Sequence, residues 1–161
     1  MRIGNIVRRR IIYPVLDLLR QGITPEKLAL SIALGITLGV TPVLGSTTLL
    51  CALAAAVLRL NLPAIQLVNY LVYPLQLILL VPFIRIGEWI FSAPPFPITV
   101  SLAFDLIQAG IWVATVTLWT ATLHGLAAWF ALGLPSSMLL YIVLLPAFRR
   151  MNKSVRQEPQ G

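Results

Sequence analysis

The sequence predicts an all-α membrane protein with two full spanning helices, broken or re-entrant half-helices and an N-terminal amphipathic helix at the membrane interface. Hydrophobic residues make up 58% of the 161 residues and charged residues only 11%, so the chain has too few polar side chains to cover a surface in water. Uncharged apolar runs occupy residues 28–58, 60–84 and 106–148. Such continuous runs are typical of membrane helices, whereas barrel strands alternate in short segments.

Residues 1–24 are predicted to be a basic amphipathic segment that lies on the membrane surface. On a helical wheel Ile3, Val7 and Ile11 share one face, whereas Arg2 and Arg9 lie opposite. Such a segment favours anionic lipids of the cytoplasmic leaflet as partners. A flexible basic tail is the alternative. Residues 25–148 form the predicted membrane domain, and residues 149–161 form a basic cytoplasmic tail.

The distribution of basic residues predicts the topology. Ten of the twelve Lys and Arg residues flank the apolar runs at the two ends of the chain. By the positive-inside rule, both termini are expected in the cytoplasm, with an even number of crossings of the cell inner membrane. The net charge of +7 is therefore explained by topology, and no nucleic-acid partner is expected.

The first apolar run is predicted to start as a helix and then break. Thr24, Pro25 and Glu26 form a helix-start signal. Gly35 and Gly39 have the small-xxx-small spacing that lets another helix pack closely. Pro42 lacks an N–H group and disfavours helical geometry at the residue before it. Because each half of the run is too short to cross a bilayer, we expect a re-entrant hairpin or a discontinuous helix.

Two further segments are long enough to span the membrane. Residues 64–81 contain Pro74, where a kink is expected, and a polar stripe that should face protein: Gln66, Asn69, Tyr73 and Gln76. Residues 109–132 form the second span, and Trp112 and Trp129 near its ends are interpreted as interfacial anchors.

The connections and the chain end carry further signals. Residues 98–108 are interpreted as an amphipathic segment, and Arg85 and Glu88, three residues apart, as an ion pair near the outer interface. The Gly133 to Ser137 stretch, which contains Pro135, predicts a second break, followed by a short re-entrant or interfacial helix over residues 138–148.

The break in the first run is the candidate ligand site. Ser46 and Thr47 are expected to cap the second half-helix, whose N–H groups favour anionic groups. Polar groups further along the chain are expected to line the site, so the candidate residues are Thr41, Pro42, Gly45, Ser46, Thr47, Asn69 and Gln76. A tight packed turn is the alternative for the break, and interhelical hydrogen bonding is the alternative for the polar stripe. His124 is interpreted as a neutral hydrogen-bonded side chain, with a proton relay as the alternative.

The ordered glycine, proline and asparagine motifs carry a family resemblance. Gly35, Gly39, Pro42 and Gly45 are followed by Asn61-Leu62-Pro63 and then by Tyr73-Pro74. This order resembles a family of uncharacterised bacterial integral membrane proteins, a domain-of-unknown-function family with G-x-x-x-G, P-x-x-G, N-x-P and N-P motifs. Here Tyr73 stands where the family has the asparagine of its N-P pair. The resemblance implies a bacterial inner-membrane protein and no established activity.

Two functional hypotheses follow from these signals. The first is a small-solute or lipid transporter whose site lies at the break from Thr41 to Thr47. The alternative is a non-transporting membrane scaffold or anchor that recruits lipid or a cytoplasmic partner. The sequence has no nucleophile–base pair, phosphate-binding loop or cluster of metal ligands, so we expect no enzyme, no cofactor and no metal. The sequence does not decide whether the chain forms a homo-oligomer.

Overall fold

The computed structural model describes residues 23–97, 99, 108 and 110–157, and all regular structure in them is helical. The helices are α1 (Pro25–Gly39), α2 (Thr47–Leu58), α3 (Leu62–Ile90) and α4 (Ile111–Gln157). The predicted all-α class is confirmed. The predicted interfacial segment before residue 23, most of the amphipathic segment 98–108 and the last four residues of the basic tail lie outside the described residues.

The helix α1 starts where the sequence predicts. Thr24 is the N-cap, and its side-chain oxygen accepts a hydrogen bond from the Lys27 backbone N–H at 3.3 Å. Pro25 occupies the first turn, where a missing N–H costs nothing, and Glu26 complements the positive end of the helix dipole. Although α1 has only 15 residues, it packs against each of the other three helices. Because α3 also packs against each of the other helices, α1 and α3 together form the centre of the bundle.

The turn between α2 and α3 is built by local chemistry. Arg59 ends α2 in the left-handed region, with φ of 52°, and two residues later Asn61 accepts a hydrogen bond from the Ala64 N–H at 2.7 Å. Pro63 stands in the first turn of α3. These signals end one helix and begin the next within three residues.

The helix α3 is longer than the predicted span over residues 64–81. It has 29 residues and contains both Pro74 and Pro82, so it extends about 43 Å at 1.5 Å per residue. The connection that follows α3 starts only at Phe91.

The predicted break at Gly133 to Ser137 is wrong, because α4 continues through it without interruption to Gln157. Residues 138–148 are therefore part of α4 and not a separate helix. The Ser136 hydroxyl donates to the Leu132 carbonyl at 2.6 Å, which is a bond to the preceding turn of the same helix, whereas the carbonyl that Pro135 leaves without a helical N–H is that of Ala131. Gly133 is buried against Trp129 and Thr37, so it serves helix packing.

The buried clusters fix the relative directions of the helices. At one end of the bundle Leu28 of α1, Ala64 of α3 and Phe148 of α4 pack together. Further along, Val40 of α1 packs with Phe83 and with Trp129. Both α1 and α3 therefore run away from the first end, whereas α4 returns to it. A third cluster, which contains Cys51, Ala55 and Ile65, holds α2 against α1 and α3.

By length and composition, two helical segments of the described residues could cross a membrane: Leu62–Ile90 in α3 and Val116–Lys153 in α4. In each of them only 17% of the most apolar window is buried. Core helices of soluble proteins bury most of such a surface, so the apolar faces of these two helices require an apolar environment outside the described bundle.

Candidate functional site

The break between α1 and α2 is present at Pro42 and is buried at its start. Thr41 and Pro42 are both buried. The Thr41 backbone N–H and hydroxyl both donate to the Leu38 carbonyl, at 3.2 and 2.7 Å. These two bonds satisfy a carbonyl at the end of α1, where the next helical N–H groups are missing.

The second part of the break lies on the surface of the bundle. Gly45 has φ of 83°, a left-handed value that favours glycine, and nothing in the structure lies within 4 Å of where its Cβ would stand. Ser46 is the N-cap residue of α2, but its hydroxyl donates to the Val43 carbonyl at 2.8 Å and does not cap the helix. The expected cap by Ser46 is therefore wrong. The Thr47 side chain is buried at the start of α2.

Gln76 makes the central polar contact of the break. Its Nε2 donates to the Thr41 carbonyl at 2.7 Å, although the two residues are 35 positions apart in the chain. Because a carbonyl can only accept, the amide nitrogen must face Thr41, and the amide oxygen must face away. That oxygen, Oε1, is buried and has no hydrogen-bond partner among the described residues.

Trp129 supplies a second buried contact to α1. Its indole N–H donates to the Thr37 carbonyl at 2.9 Å, and only 5% of the residue is exposed. Trp129 is thus not an interfacial anchor. Trp112, by comparison, is 77% exposed. The Thr37 hydroxyl is buried beside this contact and, like Gln76 Oε1, has no hydrogen-bond partner in the described part of the chain. We call Thr37, Thr41, Gln76 and Trp129 the polar cluster.

Asn69 lies in a different part of the predicted site. Its Nδ2 donates to Gln66 Oε1 at 3.2 Å, and Gln66 Nε2 donates to the Thr48 carbonyl at 2.8 Å. Gln66 and Gln76 are ten residues apart, about 15 Å along a helix. The start of α2 is therefore tied to the Gln66–Asn69 pair and not to the polar cluster. Tyr73, which belongs to the predicted stripe, is 48% exposed.

Close helix contacts surround the polar cluster. A Cβ on Gly35 would lie 2.9 Å from Val68 Cβ, and one on Gly39 would overlap Val72 and lie 3.2 Å from Asn69 Oδ1. Both glycines thus allow α1 to approach α3. Gly87 of α3 lies directly against the His124 backbone of α4, a contact that the sequence analysis missed.

Sequence reasoning also missed Thr37 and the role of Trp129. For Thr37 a signal existed, because it stands between Gly35 and Gly39 on a helix that is otherwise apolar, where a hydroxyl needs a partner inside the bundle. No local signal distinguishes a buried tryptophan from an interfacial one. His124 contacts the Phe91 ring, with ring centroids 5.4 Å apart, while the Thr120 hydroxyl donates to the Val116 carbonyl.

The predicted ion pair between Arg85 and Glu88 is confirmed, with a distance of 2.9 Å. The other carboxylate oxygen of Glu88 accepts from the Phe96 backbone N–H at 2.6 Å. Glu88 is therefore buried by the proline-containing segment that follows α3, and it fastens that segment to the end of the helix.

The opposite end of the bundle is basic. Exposed cations stand where α1 and α3 begin and where α4 leaves the bundle, and we call this set the basic end: Lys27, Arg59, Arg149, Arg150 and Lys153. Glu26 pairs with Arg149 at 2.9 Å. The hydrogen bond from its own backbone, and then that from Arg149, lower the pKa of Glu26 below its usual value.

The described residues offer hydrogen bonding and no metal ligation. No three His, Cys, Asp or Glu side chains between residues 23 and 157 that the structure describes are grouped to hold a metal ion. No curated protein and no solved structure matches the chain. A family match does exist. The family described as "Uncharacterized protein conserved in bacteria (DUF2062)" matches residues 8–157, which confirms the resemblance, and the chain belongs to this family.

Proposed function

We propose that the chain is an integral protein of the bacterial inner membrane that handles a small polar solute or a lipid headgroup at the break between α1 and α2. The contact that carries this proposal is the buried hydrogen bond from Gln76 to the Thr41 carbonyl. It places polar atoms with unused hydrogen-bonding capacity in the middle of an apolar bundle, where such atoms are costly and commonly mark substrate or ion pathways.

The break has the form that membrane transporters use for their sites. An interrupted helix frees backbone carbonyls at membrane depth, and these are tolerated where protein or a polar cavity surrounds them. Here α1 and α2 are 15 and 12 residues long, about 22 and 18 Å, and neither crosses 30 Å of hydrocarbon alone. A hairpin that enters from the basic end and returns to it accounts for both lengths.

The proposed topology places the basic end in the cytoplasm, in contact with anionic lipids, and the segment after α3 on the outer side. Single-cysteine labelling on a Cys51→Ser background tests this topology. A cysteine at Ser92, which is exposed in the segment after α3, is expected to react with a membrane-impermeant maleimide added outside. Labelling of that cysteine from the cytoplasmic side alone would refute the two-crossing topology.

A membrane scaffold is the second candidate, and the glycine contacts favour it. Gly35, Gly39 and Gly87 let α1, α3 and α4 approach at backbone distance, which is the property of a rigid anchor. In that case the basic end recruits lipid or a cytoplasmic partner, and Gln76 only completes the hydrogen bonds of the broken helix.

A stability screen with a matched control separates the two candidates. The purified chain in detergent is heated with a panel of small anions, polyols and lipids, alongside Gln76→Met and the exposed control Tyr73→Phe. For a ligand site, at least one compound raises the Tm of the wild type and of Tyr73→Phe but not that of Gln76→Met. If no compound distinguishes Gln76→Met from the other two proteins, the scaffold is favoured and the ligand site is refuted.

A further inference from the structure

We propose that the polar cluster binds a hydroxyl group of an uncharged ligand and not an anion. This inference rests on the proposed function, and it names the ligand class of that site. The two receiving atoms are Gln76 Oε1 and Thr37 Oγ1, which are both buried and have no hydrogen-bond partner among the described residues. Thr37 and Thr41 are four residues apart in the chain, and Gln76 is bonded to Thr41, so one atom lies on the short segment at the end of α1 and the other on a side chain bonded to that segment.

The orientation of Gln76 determines what the site accepts. One of its two amide N–H bonds is directed at the Thr41 carbonyl, so the amide offers a ligand its oxygen as an acceptor and its second N–H as a donor. The indole N–H of Trp129 is likewise held by the Thr37 carbonyl. The Thr37 hydroxyl both donates and accepts. Gln76 Oε1 and the Thr37 hydroxyl together match a ligand hydroxyl. The ligand hydroxyl would donate to Gln76 Oε1 and accept a hydrogen bond from Thr37.

The positions of the charges argue against an anion. On α3 the nearest described cation to Gln76 is Arg85, nine residues away and paired with Glu88, about 13 Å along the helix. On α1 Lys27 is ten residues before Thr37. His124 contacts the Phe91 ring near the far end of α3. An anion at the polar cluster would therefore be buried beside Gln76 Oε1 without a compensating charge.

The start of α2, where the sequence predicted anion binding, does not change this conclusion. The Thr48 carbonyl is bonded to Gln66, ten residues from Gln76, so the α2 start and the polar cluster are separate places. Both receiving atoms are buried in the described packing, so entry of a ligand requires the groups packed around them to move. A hydroxyl that enters satisfies an acceptor that is otherwise buried without a partner.

The test uses the full chain in phosphatidylcholine nanodiscs, because this lipid has no hydrogen-bond donor. Tm is measured with four probes: free glycerol, dioleoylglycerol, inorganic phosphate and dioleoyl phosphatidic acid. The variants are Thr37→Val, Gln76→Met and the exposed control Tyr73→Phe. Thr37→Val is nearly isosteric and breaks no side-chain hydrogen bond of the described structure. Tyr73 is 48% exposed, and its change to Phe keeps both receiving atoms.

We expect a hydroxyl probe to raise the Tm of the wild type and of Tyr73→Phe by several degrees, and this shift to be lost in Thr37→Val and Gln76→Met. A shift with dioleoylglycerol but not with glycerol identifies a lipid as the source of the hydroxyl, and the reverse identifies a free solute. A shift with phosphate or phosphatidic acid instead would overturn the inference while leaving a ligand site in place. A hydroxyl-dependent shift that survives in both variants would overturn it as well. If none of the four probes acts, the inference fails, and the wider compound panel decides the proposed function separately.

Discussion

Gly87 is the position where one added methyl group should do the most damage to the bundle. A Cβ there would overlap the His124 carbonyl and lie 2.8 Å from its Cα. Carbon atoms pack best at about 3.5–4.0 Å, so the contact with Cα alone requires α4 to move away from α3 by roughly 0.7–1.2 Å, and the overlap with the carbonyl requires more. A backbone cannot avoid this overlap by a rotamer change, as a flexible side chain can.

The expected cost follows from that displacement. A gap of about 0.5–1 Å forfeits about a quarter to a half of the dispersion energy of the contacts it opens, and overpacking typically costs about 1–3 kcal/mol. We place Gly87→Ala at the upper end, about 3 kcal/mol, less about 1 kcal/mol that alanine returns through its higher helix propensity. The net loss in the free energy of unfolding is then about 2 kcal/mol.

Gly125→Ala is the matched control on α4. Its Cβ would lie 3.3 Å from Pro42 Cβ and 3.4 Å from Ile84 Cγ1, which are side-chain atoms that move by a few tenths of an ångström. We expect a change within about 0.5 kcal/mol or a slight gain. Reversible unfolding in mixed micelles of a mild detergent and dodecyl sulfate measures both variants. If Gly87→Ala is as stable as Gly125→Ala, α3 and α4 do not meet at this point and the reasoning is refuted.

Three further predictions concern other parts of the bundle. Trp129→Phe should cost about 1–3 kcal/mol because it leaves a buried carbonyl unpaired, whereas the equivalent change at exposed Trp112 should be nearly neutral in the same unfolding assay. Gly45→Leu should destabilise by about 1–2 kcal/mol because leucine is strained at positive φ, and a Tm equal to that of the wild type would contradict this expectation. Glu26 has a pKa lowered from 4.5, so its contribution is present above that value and is lost as the pH falls through the folded-state pKa. Glu26→Gln should therefore flatten the dependence of stability on pH below about 4.5, and an unchanged slope would show that the ionisation of Glu26 contributes nothing to it.

The parts of the fold that sequence reasoning predicted depend on local backbone chemistry. A threonine cap with Pro25, the ring of Pro42 and the Asn61-Leu62-Pro63 turn each act within a few residues, so their effects are readable from the chain alone. The all-α class follows from composition in the same way. The sequence alone did not reveal which residues distant in the chain contact each other. Trp129 bonds to a residue 92 positions away, and nothing around it in the sequence signals this partner.

Pro42 and Pro135 show why a proline alone does not decide whether an apolar helix breaks. Each proline stands two or three residues after a glycine in an apolar run. However, α1 ends before Pro42, whereas α4 continues through Pro135. At Pro135 the carbonyl that loses its helical N–H partner is that of Ala131, and α4 nevertheless remains intact around it.

At Pro42 the Leu38 carbonyl is bonded locally by Thr41, and two further carbonyls find partners on other helices. Gln76 of α3 takes the Thr41 carbonyl, and Trp129 of α4 takes the Thr37 carbonyl. Breaking α1 there is tolerable only because α3 and α4 present these donors at the same depth, since an unpaired carbonyl in an apolar bundle costs about 1–3 kcal/mol. The break in α1 is thus a property of the assembled bundle as well as of Pro42. With these donors in place, Gln76 Oε1 and the Thr37 hydroxyl are the buried side-chain atoms left without a partner among the described residues, so the polar capacity left over at the break includes an acceptor and a hydroxyl.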